Sequence, residues 1–138
     1  MISKPFKIDH IDIINTKLKY NDLDELKSEV YPFEGDEALT YLKDDKIIFA
    51  CGMKVIRQGV AHVWVVPSIY VDNYPKSFYK EINKLLNEYA EKMNIHRVQT
   101  TIVEDFVKWI ELLGFEKEST LKKITFDKKD EYLYTKFY

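Results

Sequence analysis

The chain has 138 residues, 46% hydrophobic and 32% charged, and its 21 Lys+Arg against 23 Asp+Glu leave a formal charge of -2. That is one domain's length, and the balance excludes a disordered polyelectrolyte. Four dispersed glycines (Gly35, Gly52, Gly59, Gly114) exclude Rossmann and Walker-type phosphate loops, and one cysteine, Cys51, excludes an internal disulfide or a Cys-rich zinc site. His10, His62 and His96 lack the spacing of a helix-borne metal site, so no metal is expected. With no apolar run of membrane length, no secretory signal and a lone thiol, the sequence suits a cytoplasmic protein without a membrane partner.

Residues 6 to 14 alternate weakly and read as a first strand. From Ile14 to Val30 a broken helical region is expected, stopped by Pro32 and Gly35. Residues 38–42 and 47–56 read as antiparallel strands joined by an Asp-Asp turn, and 60–66 as a third strand ended by Pro67. The clearest helix opens at Pro75, with Phe78, Ile82, Leu85, Leu86, Tyr89 and Met93 on its apolar face. A strand at 95–102 then lies parallel to 60–66, because a strand-helix-strand unit makes a right-handed crossover. A short helix at about 104–113 ends at Gly114, and strands at about 117–126 and 131–137 close a hairpin around Asp127–Asp130. The order predicts an α/β (α+β) single domain, 1–138. Its sheet is mixed and mostly antiparallel, of about six to seven strands, flanked by helices, with a central parallel crossover.

Residues 104–115, Glu-Asp-Phe-Val-Lys-Trp-Ile-Glu-Leu-Leu-Gly-Phe, followed by Glu-Lys-Glu, resemble the C-terminal signature of the GNAT superfamily of N-acetyltransferases, and the element order is similar from about Ile8 to Phe137. The resemblance implies transfer of an acetyl group from acetyl-CoA to a primary amine, small-molecule or protein, by direct attack. It implies that backbone groups of Val65 and Val66 pair with the pantetheine arm, and that the pyrophosphate sits where the long helix opens. The sequence departs from the family there. Residues 68–77, from Ser68 to Ser77, hold no glycine, Pro75 lacks an N–H, and Asp72 is acidic. Ile110 stands where the family commonly has a leaving-group Tyr, and Val103 where it often has Asn. With Trp64-Val65-Val66-Pro67-Ser68, these departures also resemble GNAT-like proteins of some tailed phages, which implies a host-cytoplasm location and, as an alternative function, a catalytically lapsed binding or structural module.

For the chemistry, His62 titrates near neutrality and is the candidate base, against a plain half-buried strand histidine. Glu104 and Asp105 are candidate bases or helix caps. Tyr70 and Tyr74 are candidates to replace the missing acid or to stack on adenine, with packing as the default reading of both. Lys76 and Lys80 are candidate phosphate contacts or else a solvated helix face, and Ser68, in the loop before them, is a candidate cofactor contact. Cys51, between Ala50 and Gly52, reads as a buried inert thiol. The basic residues form no stripe, so nucleic acid is not expected as a partner. Monomer and homodimer stay open, and Tyr132, Tyr134 and Tyr138 suggest an aromatic edge for pairing.

Overall fold

The computed structural model describes residues 1–17 and 37–138. Its strands are β1 (Ile2–Pro5), β2 (Glu37–Lys43), β3 (Lys46–Arg57), β4 (Val60–Pro67), β5 (Arg97–Ile102), β6 (Glu116–Leu121) and β7 (Glu131–Phe137). They form one sheet in the order β1-β2-β3-β4-β5-β7-β6. The helices are α1 (His10–Ile13), α2 (Pro75–Lys92) and α3 (Val107–Leu112), with short 3-10 turns at Val71–Asn73 and Glu104–Phe106. β4 and β5 are parallel, in register Val60↔Arg97, Ala61↔Val98 and His62↔Gln99, as the crossover argument requires. By internal contacts the chain divides into two compact units, Met1–Lys54 with Val63–Asn87, and Val55–His62 with Glu88–Tyr138.

In the first unit the expected strand at 6–14 is replaced by β1 ahead of it and the single turn α1 within it. The reason is spacing: Ile8, Ile11 and Ile14 recur every three residues, and the chain closes as His10 N–H to Lys7 O, Ile11 N–H to Ile8 O and Ile14 N–H to His10 O. Ile11 and Ile14 thereby join Phe6, Ile47, Trp64 and Val66 in the core. The helical region expected from 14 to 30 falls mostly outside the described residues, as do Pro32 and Gly35. Asp44 and Asp45 both have positive φ, 51° and 63°, which is the geometry of a tight hairpin turn between β2 and β3. α2 packs Phe78 edge-on against Phe49, 4.8 Å between ring centroids, and Phe49 stacks on Tyr41 at 4.4 Å.

In the second unit, α3 buries Ile110, with Leu113 and Phe115 following. Gly114 takes φ +88°, the left-handed residue that ends this helix. Lys136 Nζ donates to Leu113 O at 2.9 Å, satisfying a C-terminal carbonyl. The last hairpin differs from expectation in two ways. β6 stops at Leu121, because Lys123 turns to φ 54° and Thr125 bonds across to Lys129, so 122–126 belong to the connecting loop. β7 is not an edge: it lies between β5 and β6, and Tyr134 is buried, so the aromatic edge expected from Tyr132, Tyr134 and Tyr138 does not form.

Candidate functional site

The end of β4 is fixed by two opposed hydrogen bonds. Ser68 N–H donates to Ile48 O of β3 at 2.9 Å, while Pro67 O accepts from Lys17 N–H at 2.9 Å. Backbone groups of successive strand residues point to opposite edges. Val66 therefore shares Ser68's edge and turns to β3, whereas Val65 shares Pro67's edge and turns its N–H and C=O away from β3. The Ser68 hydroxyl is buried, donating to Ile48 O at 2.8 Å and accepting from Tyr70 N–H at 3.1 Å. Ser68 holds the loop in shape.

That loop delivers Tyr70, Tyr74 and the first turn of α2. Lys46 Nζ lies 4.9 Å from the Tyr70 ring centroid and Lys43 Nζ 4.8 Å from that of Tyr74, so the β2–β3 hairpin brings two cations beside the tyrosines. Lys76 adds an exposed third in the first turn of α2, with Lys80 one turn further along. Phe78 N–H bonds to Tyr74 O at 2.9 Å, and the N–H groups of Lys76 and Ser77 have no intrahelical acceptor. Asp72 is paired with Lys17, Nζ to Oδ2 2.5 Å. Lys17, Lys43 and Lys46 were not among the residues singled out from sequence. The hairpin could have been found: β3 runs antiparallel to β4, which puts the Asp44–Asp45 turn at the end of the sheet where β4 finishes.

In the second unit, His62 is half-buried on β4 opposite Gln99, and burial pulls its imidazole below the usual histidine range. At neutral pH it is uncharged. Glu104 opens the 3-10 turn ahead of α3, exposed like Asp105, and the Tyr132 hydroxyl hydrogen-bonds to it, which raises that phenol. Ile110 is buried and offers no proton. Beside it in sequence Glu111 accepts a 3.3 Å hydrogen bond from the Tyr134 hydroxyl, and burial and Glu111 together push this phenol up. The structure thus groups Tyr70, Tyr74 and Lys76 in one unit, and places His62 and Glu104 on separate elements of the other. Cys51, in the first unit, is fully buried, and desolvation, with Glu81 adding, pushes its thiol well above the usual range. Among the described residues no group of three or more His, Cys, Asp and Glu is placed to hold a metal, and no helix is long and apolar enough to cross a membrane.

No protein-family model and no curated protein matches the sequence. Solved structures do. Ard1 from Thermoplasma volcanium aligns over 99% of this chain and 96% of its own, at 10% identity and a TM-score of 0.79. A ribosomal-protein-alanine N-acetyltransferase from Brucella melitensis aligns over 100% of both chains, at 16% and 0.69. A variant of the SpeG spermidine N-acetyltransferase from Vibrio cholerae aligns over 99% of this chain and 95% of its own, at 13% and 0.69. With Leu-Gly-Phe at 113–115 and the parallel β4–β5 crossover, these likenesses show that the chain has the fold of the GNAT acetyltransferases.

Proposed function

We propose that the protein is an acyl-CoA-dependent N-acetyltransferase that passes an acetyl group to a primary amine by direct attack. The observation that carries the proposal, given the fold, is the cationic mouth of α2. Lys43, Lys46 and Lys76, the rings of Tyr70 and Tyr74, and two N–H groups at a helix start make an anion site without glycine, and Lys17 offsets the Asp72 carboxylate. These residues fit the pyrophosphate and adenine of acetyl-CoA, which supplies the activated acyl group.

Each further role belongs to a group of this chain. The Val65 backbone, turned from β3, holds the pantetheine arm, and its N–H donates to the carbonyl oxygen as negative charge develops there. Val66 keeps β4 on β3, and Ser68 positions the loop. His62, neutral through burial, takes the amine proton as the N–C bond forms, with Glu104 a second candidate base. Once that bond has formed, the electron pair on oxygen reforms the carbonyl and the C–S bond breaks. The thiolate is protonated by Tyr70 or by water, since a thiol with a pKa of about 8.5 is a tolerable leaving group.

One observation favours a second reading, a catalytically lapsed binding or structural protein: buried Ile110 stands where the family commonly has its acid. The test is thiol release from acetyl-CoA in the presence of spermidine and of a peptide with an N-terminal alanine, the acceptors named by the structural neighbours. Amine-dependent release supports catalysis. Saturable CoA binding without turnover on a wider amine panel supports the second reading.

A further inference from the structure

The loop at 122–130, between β6 and β7, is cross-braced and carries its apolar residues outward. Thr125 Oγ1 donates to Asp127 Oδ1 at 2.6 Å and accepts from Lys129 N–H at 2.7 Å, and Lys123 N–H donates to Asp130 Oδ1 at 2.9 Å. These bonds hold Phe126 at 92% exposure and Ile124 at 54%. Lys122 and Lys123 precede them and Lys128 and Lys129 follow, while Lys129 Nζ, 3.4 Å from Asp127 Oδ2, offsets that carboxylate. The same unit carries a complementary feature. A shallow groove of about 530 Å³ on α3 is lined by Glu104, Val107, Lys108, Glu111 and Leu112. Its apolar part includes Leu112, 61% exposed, and its two carboxylates are steadied by hydrogen bonds from Tyr132 and Tyr134.

We propose that the 122–130 loop of one copy seats in the α3 groove of a second copy. Phe126 packs on Val107 and Leu112, and the loop lysines face Glu104 and Glu111. The occupant is a second copy because the chain supplies both halves of the match, an apolar tip in a loop of four lysines against two aspartates and an apolar floor with two glutamates against Lys108. Loop and groove lie on one unit, and reciprocal exchange between two copies, each loop in the other's groove, closes as a two-fold dimer. The proposal shares only Glu104 with the catalytic reading and stands without it, since His62 is the first candidate base there.

The test is sedimentation equilibrium of the full chain over a range of concentrations, with circular dichroism confirming that each variant folds. The expected result is reversible association of the 16.5 kDa chain to twice that mass, weakened at least about tenfold by Phe126→Ser and by added salt. Glu111→Lys alone, or Lys122→Glu with Lys128→Glu, should each weaken pairing. Mixing the two charge variants should restore it, since both contacts of the mixed dimer are then matched. A monomer at every concentration, an open polymer, or a dimer indifferent to Phe126→Ser overturns the proposal. So does a chain that stays monomeric yet binds phosphatidylserine vesicles through Phe126, which assigns the loop to a lipid surface.

Discussion

The Lys17 ammonium lies 2.5 Å from the Asp72 carboxylate, across 55 residues of sequence and at the mouth of α2. A lone carboxylate there would oppose a phosphate, and this pair removes the opposition. Both side chains are partly exposed, so the pair adds at most about 1 kcal/mol to stability. Lys17→Ala should therefore leave the melting temperature nearly unchanged while weakening acetyl-CoA binding several-fold. Adding Asp72→Asn to Lys17→Ala should recover most of the affinity, read by titration calorimetry of the four-member cycle.

His62 should matter for turnover more than for binding. His62→Ala is expected to lower kcat at least about tenfold with a much smaller change in acetyl-CoA affinity. Equal turnover in the variant removes His62 from the mechanism.

The same residue sets a pH dependence. Burial lowers the folded pKa of His62 below the ordinary value of about 6.5, so on acidification the unfolded chain binds the proton first. Its contribution to stability is full above about pH 6.5 and falls as the pH drops from there through the folded pKa. Denaturant midpoints of wild type and His62→Gln, compared from pH 7.5 to 5, should converge as the pH falls if His62→Gln is the less stable at neutral pH, and diverge if it is the more stable. A difference constant with pH contradicts the assignment.

Gly52 tests the packing of the first unit. A Cβ there would stand 2.8 Å from both Ala38 Cβ and Trp64 Nε1, so Gly52→Ala should destabilise by about 1–3 kcal/mol through overpacking. Chemical denaturation checks it.

Cys51 should be silent to thiol reagents in the folded protein and react at once in guanidinium chloride. Thiol release in the acetyl-transfer assay then reports CoA alone. Fast labelling under native conditions contradicts the buried placement.

Much of the fold was legible because its signals are local: the apolar spacing of α2, the Asp44–Asp45 turn, Gly114 and the parallel return at Val60↔Arg97. Structure and sequence pattern part where two periods compete. Ile8, Ile11 and Ile14 fit a three-residue turn as well as an alternating strand, and Ile124 and Phe126 imitated a strand face that is in fact exposed. The candidate site was half legible. Tyr70, Tyr74 and Lys76 lie in one loop, but Lys17, Lys43 and Lys46 reach it only through sheet pairing and a long-range ion pair. Likewise only the opposed bonds at Pro67 and Ser68 distinguish Val65 from Val66.

The most direct test is isothermal titration of the wild-type protein and of a Lys43→Ala/Lys46→Ala variant with acetyl-CoA. Saturable, one-to-one, micromolar binding by the wild type is expected, weakened at least about tenfold in the variant. No detectable binding by folded wild type, or affinity indifferent to both lysines, contradicts it.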